Sequence, residues 1–295
     1  MTAYLLIPKM KIINANAINS PYSIGFPAMT AWLGAAHALQ RKIQSVGLKV
    51  FLNKMAVVCH QCDLQTCDSI VGRRKYIIGT ANPLKKNKKT GEFEKPPFIE
   101  EGRCHLNVSL LIEISGINPD NENKFLTEVS IQLNKMKIAG GDVIKFKKPE
   151  IYYISEENKQ KTRLIKNKLM PGYVIVERRD LVNKAMEDGL DGIDALLEYI
   201  KITYTLDNND TENPIWRGSR KSPGWIIPMG VGFKGISKLG KVENQRDSSV
   251  MHRFAESVVT LCEFKMPYRF DDLDDMMWQY SVDTDKKLYI CKNQY

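Results

Sequence analysis

The sequence lacks the segments that would place it in a membrane or direct it for secretion. No stretch approaches the roughly 20 consecutive apolar residues that a membrane-spanning helix needs. Residues 1–8 contain no basic leader followed by a long apolar segment, so we expect no signal peptide. These absences predict a soluble, cytoplasmic protein that contacts no membrane.

Motifs of several enzyme classes are also missing. The chain contains no GxxxxGKS/T phosphate-binding loop, no GxSxG nucleophile and no HExxH zinc motif. The glycine-rich run 229–235 follows a proline-bounded strand and lacks the helix signals that should come after a phosphate-binding loop, so it carries little weight. A histidine with a lysine or tyrosine can serve a ribonuclease as general acid and base. His37 and His105 both lie near basic residues, and this alternative stays open.

The six cysteines do not indicate a disulfide framework, because a chain of 295 residues is too large to need one. Cys59 and Cys62 have the Cys-x₂-Cys spacing of zinc ligands, and Cys67 follows them. However, no second such pair exists, and alternation along a strand would point Cys59 and His60 to opposite faces. We favour reduced thiols over a zinc site and expect no metal and no other cofactor.

Positive charge is what the sequence has in abundance, with a formal net charge of +9. Such a field favours polyanionic partners, among them nucleic acid. Residues 66–103 hold nine basic and five acidic residues, and we predict a long exposed hairpin arm with Thr90-Gly91 near its tip. Lysine and arginine neutralise phosphates, and Tyr76 and Phe93 offer stacking surfaces for single strands. The alternative is a solvated hairpin without a ligand.

Hydrophobic periodicity predicts an α+β fold for the first half of the chain. The predicted elements are a strand at 4–13, a helix from Pro27 to Val46, a strand at 50–64, the arm, a strand at 105–115, a helix at 121–136 and a strand at 142–154. This order is the split β-α-β pattern of ferredoxin-like and RNA-recognition-motif folds. We therefore predict a core of this type over residues 1–155, with a protruding thumb hairpin at about 70–103.

The second half, residues 156–295, is less regular. The pattern predicts helices at 159–168, 180–199 and 249–263 and short strands at 173–176 and 223–228. No composition shift marks a linker between independent domains. We predict an irregular α/β portion that packs on the core and does not fold alone.

Short stretches along nearly the whole chain together resemble one known family. They are Asn14-Ala15-Asn16-Ala17-Ile18, Ser20-Pro21, Gly25-Phe26-Pro27, His37-Ala38-Leu39-Gln40-Arg41, Asn82-Pro83-Leu84, Glu100-Glu101-Gly102-Arg103, His105-Leu106, Val108-Ser109-Leu110, Ala139-Gly140-Gly141, Pro171-Gly172, Pro223-Gly224-Trp225, Asp285-Lys286 and Leu288-Tyr289. The family is that of the Cas-five-like subunit of type I-F CRISPR complexes, also called Csy subunit two. The basic arm tip and the region at about 145–165 depart from its pattern.

The resemblance implies a non-catalytic subunit of an RNA-guided surveillance complex. Members of the family bind the single-stranded 5′ handle of the guide RNA (crRNA) and pair with the large subunit that reads the PAM. They sit at one end of a filament of repeated backbone subunits, and the assembled complex binds target DNA. Some relatives in other CRISPR subtypes cleave guide precursors, so the ribonuclease alternative becomes a metal-independent endoribonuclease that processes crRNA precursors.

The resemblance also assigns RNA-binding roles to residues of this sequence. The loop 14–20 becomes a base-reading element, the exposed face of the first helix a phosphate or base contact, and the arm the thumb. The residues implied to bind RNA are Asn14, Asn16, Asn19, Ser20, His37, Gln40, Arg41, Arg73, Arg74, Lys75, Asn82, Lys85, Lys86, Arg103 and His105.

Overall fold

The fold is described by a computed structural model over residues 2–68, 75–77, 84–94, 101–155, 159–207 and 215–293. Five α-helices lie in these ranges: α1 Met29–Ser45, α2 Glu122–Leu133, α3 Lys159–Leu169, α4 Arg179–Glu187 and α5 Gly192–Ile200. None of these helices combines the length and the apolar composition required to cross a bilayer.

The strands in the described ranges are mostly long and antiparallel. They are β1 Thr2–Asn16, β2 Ile18–Ser20, β3 Ser23–Ile24, β4 Phe51–Leu64, β5 Thr66–Asp68, β6 Lys75–Ile77, β7 Lys85–Lys86, β8 Phe93–Glu94, β9 Arg103–Ser115, β10 Lys137–Ile138, β11 Gly141–Lys145, β12 Glu150–Ile154, β13 Tyr173–Glu177, β14 Thr203–Asp207, β15 Ile215–Ser219, β16 Trp225–Gly235, β17 Ala255–Lys265, β18 Trp278–Asp283 and β19 Leu288–Asn293. The predicted α+β class is confirmed.

Eleven of these strands form one antiparallel sheet that runs through both halves of the chain. Its order is β10-β11-β1-β9-β4-β13-β17-β16-β19-β18, and β12 also pairs with β1. The last strand, β18, pairs back with β4, so β4 belongs both to the first-half sheet and to a closed ring of strands from the second half. Shorter two-stranded ladders join β2 to β3, β5 to β6, β7 to β8 and β14 to β15.

Helices α1 and α2 cover one face of the first-half sheet. Apolar residues that recur at helical spacing in α1 are buried, among them Trp32, Leu39 and Ile43, and so are Phe125 and Val129 of α2, whereas Val46, at the end of the predicted helix, is exposed. The indole N–H of Trp32 donates to the Pro27 carbonyl at 3.2 Å. Helical spacing of apolar residues was therefore a sufficient signal for both helices.

The opposite face of the same sheet is only partly covered. Tyr4 and Leu6 of β1 lie in a second core under Ile165 and Leu169 of α3, together with the 270–277 segment. Further along β1, Lys11 is exposed. One half of this face is therefore apolar and packed, and the other half meets solvent.

The predicted helix at 249–263 is wrong, because most of this segment is strand β17. β17 pairs with β13 on one side and with β16 on the other. Its run Val258-Val259-Thr260 is β-branched, which favours a strand. The apolar residues of this segment fit both the helical and the strand periodicity. Pairing with β13 and β16 favours the strand.

Two other predicted elements are divided in the structure. The predicted helix at 180–199 is two helices, because Gly189 has a φ of +95° and Asp191 then caps α5 by accepting from the backbone N–H groups of Ile193 and Asp194. The predicted strand at 142–154 is β11 followed by β12. The glycines 230, 232 and 235 have GxGxxG spacing but lie within β16, so they form no phosphate loop.

A polar network ties the two halves together on the partly open face. The imidazole of His60 lies 2.7 Å from the Ser109 hydroxyl and 2.5 Å from the Pro171 carbonyl, and Lys9 Nζ is 2.8 Å from its Nδ1. A Cβ on Gly172 would lie 2.6 Å from the ring, so the glycine permits this approach. Burial, with a smaller contribution from the positive charge of Lys9, lowers the pKa of His60.

This network predicts a loss of stability on acidification. The pKa of His60 in the folded chain lies below its unfolded value of about 6.5, so its contribution is complete above that pH. Below it the unfolded chain binds the proton first, and stability falls until the folded pKa is passed. We expect His60→Gln to flatten the decline of Tm between neutral and mildly acidic pH. An equally steep decline in variant and parent, measured by thermal melting, would contradict this role of His60.

Candidate nucleic-acid interface

A cleft of about 600 Å³ opens where β1 ends and β9 begins, beside the start of α1. Its walls come from four segments, 16–19, 27–31, 101–103 and 139–140. The lining residues are Asn16, Ile18, Asn19, Pro27, Ala28, Thr30, Ala31, Glu101, Arg103, Ala139 and Gly140. The cleft thus brings together three of the residues implied to bind RNA.

The strand pairing of β1 and β9 places Asn16 directly opposite Arg103. Asn16 is held by its backbone, which donates to the Ala139 carbonyl at 2.8 Å, and its Oδ1 accepts from the Ile18 N–H at 3.0 Å. The Arg103 guanidinium donates to the Asn14 carbonyl at 3.3 Å and forms an ion pair with Glu101. Its side chain is still 32% exposed, so donors of the guanidinium face the cleft.

The start of α1 adds a second source of positive potential. Ala28 is the N-cap residue and supplies no side-chain hydrogen bond to the first turn. Backbone N–H groups of that turn therefore lack the usual cap, and the helix dipole places partial positive charge there. Thr30 adds a hydroxyl to the same wall. An anion in the cleft would meet these groups and Arg103 together.

Asn19 and Ser20 shape the cleft from inside the protein. Both are buried. The Asn19 amide donates to the carbonyls of Phe26 at 3.1 Å and Pro228 at 3.3 Å, and its Oδ1 accepts from Ser23, which also contacts the Ser20 hydroxyl. These bonds indicate that Asn19 and Ser20 fix the loop in place rather than offer their side chains to a base.

The two histidines of the ribonuclease alternative lie on opposite faces of the sheet. His105 alternates with Cys104 and Leu106, which are buried under α1, so it projects to the other face, where its Nδ1 accepts from the Asn14 N–H at 3.1 Å. His37 is exposed on α1 itself. The structure therefore does not bring this pair together.

The exposed side of α1 borders a separate, smaller groove. His37 and Gln40 line it together with Lys54 and Tyr280, in a volume of about 190 Å³. Gln40 accepts from the Leu52 N–H at 2.8 Å, and Lys54 donates to Asp274 at 2.8 Å. Arg41 is exposed near this groove without lining it. The predicted residues of α1 thus form a group apart from the cleft.

Only part of the predicted arm lies within the described residues. Arg73, Arg74 and Asn82 lie outside them, and Lys75 and Lys85 are described only as strand positions. Residues 85–94 form a hairpin whose turn contains Thr90 and Gly91, as expected, with Gly91 at φ +74°. Within the described part, Lys86 is exposed, and so are the aromatic residues Tyr76 and Phe93.

The cysteines do not assemble a metal site in the described part of the chain. No group of three or more histidine, cysteine, aspartate or glutamate residues converges there. Cys59 lies in the core under α1, and His60 projects to the other face, as alternation predicted. Burial raises the pKa of Cys59 to about 12, so its thiol is protonated at neutral pH and is a poor metal ligand.

Sequence reasoning missed three features of the interface. Tyr22 is 81% exposed at the turn between β2 and β3, close in sequence to the cleft residues. Thr30 and Gly140 line the cleft. A Pro-Tyr turn with an exposed aromatic was a readable signal, whereas the positions of Thr30 and Gly140 depend on contacts between distant segments.

Comparison with known proteins supports one family. The profile described as "CRISPR-associated protein (Cas_Csy2)" matches residues 5–291. The CRISPR-associated protein Csy2 of Pseudomonas aeruginosa (strain UCBPP-PA14) is 32% identical over 314 aligned positions, which cover 97% of this chain and 94% of that protein.

Proposed function

Because the chain belongs to the Csy2 family of CRISPR-associated proteins, we propose that it binds the single-stranded 5′ handle of a crRNA. In this proposal it is a non-catalytic subunit of a type I-F RNA-guided surveillance complex. It pairs with the large PAM-reading subunit at one end of a filament of backbone subunits, and target DNA binds to the assembled complex. The resemblance inferred from the sequence is confirmed at the level of the family.

The observation that carries the proposal is the cleft beside Arg103. Single-stranded RNA is recognised through phosphate contacts and through hydrogen bonds to the edges of splayed bases. The cleft offers a guanidinium, the uncapped first turn of α1 and the Asn16 side chain within one concave surface. Tyr22 stands at the adjacent turn as a stacking surface for an unpaired base.

We propose that the first half of the chain is an RNA-recognition-motif-like core with a thumb at about 70–103. Support comes from the neighbour order β11-β1-β9-β4, which the β-α-β, β-α-β chain order produces when both helices cover one face. The hairpin at 85–94 and the exposed Lys86 support the thumb.

The proposal is tested by the RNA that the protein retains. The chain is co-expressed with partner subunits and a guide locus, the complex is purified, and the bound RNA is sequenced. We expect a discrete RNA with a uniform 5′ end whose handle is protected from nucleases. Retention of random cellular RNA, or of none, would contradict handle binding.

The non-catalytic assignment has its own test. Purified protein is incubated with a precursor hairpin RNA in the absence of divalent metal, and the RNA is analysed on a denaturing gel. We expect no cleavage, because His37 and His105 lie on opposite faces of the sheet. Cleavage that is lost in His105→Ala would establish the endoribonuclease instead.

A further inference from the structure

A basic row crosses the solvent-exposed half of the sheet face that α3 leaves open. Strand register places Lys145 of β11 opposite Lys11 of β1, Lys11 opposite Asn107 of β9, and Asn107 opposite Gln61 of β4. Residues opposite each other in antiparallel strands have side chains on the same face. Lysine and amide side chains therefore line up across four adjacent strands.

The lysines of this row are not neutralised by carboxylates. Asp142 and Glu150, which are near Lys145 in sequence, pair with Lys137 and Lys168. Lys11, Lys145 and the nearby Lys147 are exposed, and none of them has an ion pair within the described residues. This half of the face therefore carries an excess of positive charge. A partner that binds here would have to supply the balancing anions.

Two like charges face each other directly, which is unfavourable in an isolated sheet. Lys11 and Lys145 are direct cross-strand neighbours, and such pairs repel. Lys147 is fixed beside β1 because its N–H donates to the Pro8 carbonyl at 2.9 Å. Burial, and to a smaller extent the charge of Lys147, lowers the pKa of Lys9. Anions bound beside Lys11 and Lys145 would relieve the repulsion between these two side chains.

We propose that the row Lys145-Lys11-Asn107-Gln61, with Lys147, is a track for the phosphate backbone of a nucleic-acid strand. Four strands at about 4.8 Å spacing give a path of about 14 Å. This path is long enough to contact successive phosphates of one strand. Lysine ammonium groups neutralise the phosphates, and the two amides donate hydrogen bonds to phosphate or base oxygens.

The track is a different surface from the cleft beside Arg103. Lys11 is on the face opposite α1, whereas the cleft includes the first turn of α1. This assignment rests on the proposed function: the strand that lies on the track is guide RNA beyond the handle or target DNA. The shared chemistry is the phosphate backbone, and the choice of probe separates the two sources.

The test compares two triple variants of the full-length chain. K11A/K145A/K147A removes the track lysines, and K124A/K135A/K184A removes three exposed lysines elsewhere. Binding of fluorescent oligouridine RNA, oligothymidine DNA and a DNA duplex is measured by anisotropy across a range of salt concentrations. With about 0.7 counterions released per single-strand contact, we expect the track variant to lower the log–log salt slope by about 2 and the control to leave it unchanged.

The probes and a charge-preserving variant give each outcome a meaning. Loss for RNA alone assigns the track to guide RNA, loss for duplex alone assigns it to target DNA, and equal loss assigns it to either backbone. K11R/K145R/K147R keeps the charges and should keep binding. The track is refuted if the two alanine variants bind all probes alike, if the arginine variant also loses binding, or if polyglutamate competes as well as RNA.

The outcome is independent of the handle test. Oligouridine has no handle sequence, so its binding does not report on the handle site. If the handle site is separate from the track, the track variant still retains RNA with a uniform 5′ end in the purified complex. Removal of the lysines relieves repulsion, so we expect the Tm of the alanine variant to equal or exceed that of the parent. A variant that melts early is replaced by K145A/K147A, which spares the central strand β1.

Discussion

Arg103→Ala is expected to weaken binding of a single-stranded handle RNA by about 10- to 150-fold. A hydrogen bond to a charged group contributes about 1.5–3 kcal/mol, and about 1.4 kcal/mol corresponds to a factor of ten. The change also leaves the Glu101 carboxylate without its ion-pair partner, in a cleft that should hold phosphate. The measurement is the dissociation constant for RNA with the 5′ sequence found in the purified complex.

The matched control is Arg163→Ala, which removes the same charge from an exposed position of α3. Arg103→Lys should recover part of the affinity, because it restores the charge without the planar fork of the guanidinium. The Arg103 side chain also donates to the Asn14 carbonyl, so Tm is measured for each variant. Equal RNA affinity of Arg103→Ala and Arg163→Ala at unchanged Tm would remove Arg103 from the interface.

An element of this molecule could be predicted from the sequence when the contacts that determine its secondary structure lie within one segment. Helix α1 was predicted because Trp32, Leu39 and Ile43 recur at helical spacing, and this pattern is complete within the segment. Strand β17 was not, because its β-branched run becomes a strand by pairing with β13 and β16. Non-local pairing overrode the local pattern.

The same distinction applies to the candidate interface. Asn16 and Arg103 were both named from sequence, but their direct apposition follows from the register of β1 with β9. Asn19 was expected to read a base, yet its amide is satisfied by the Pro228 carbonyl, a residue 209 positions away. A Cβ at Gly230 would lie 2.3 Å from the Asn19 carbonyl oxygen, so the glycine admits this contact. No local rule could have identified either partner.

The dependence of the first half on the second also explains why residues 156–295 are not expected to form an independent domain. The sheet passes from β4 into β13, and Trp278 of β18 returns to pair with Met55 of β4. The indole of Trp278 is fully buried and donates to the Ile175 carbonyl at 2.7 Å. Trp278 thus connects β18 to β4 through its strand pairing and to β13 through its side chain.

Trp278→Ala is therefore expected to cost about 3–5 kcal/mol of unfolding free energy, as for other fully buried tryptophans. The loss combines the removed apolar area, the cavity that remains, and the Ile175 carbonyl that loses its donor. Chemical denaturation of the full chain measures it. Since a typical domain has only about 5–15 kcal/mol in total, we expect a marked fall in the amount of folded protein.

The control for this prediction is Trp216→Ala, which makes the same chemical change at a side chain that is 64% exposed. Exposed substitutions of this kind usually change stability by less than about 0.5 kcal/mol. If the halves formed one cooperative unit, Trp278→Ala would shift a single unfolding transition that reports on both. Two separate transitions, with only the second-half transition shifted, would instead mean that residues 156–295 unfold independently of the core that carries the cleft.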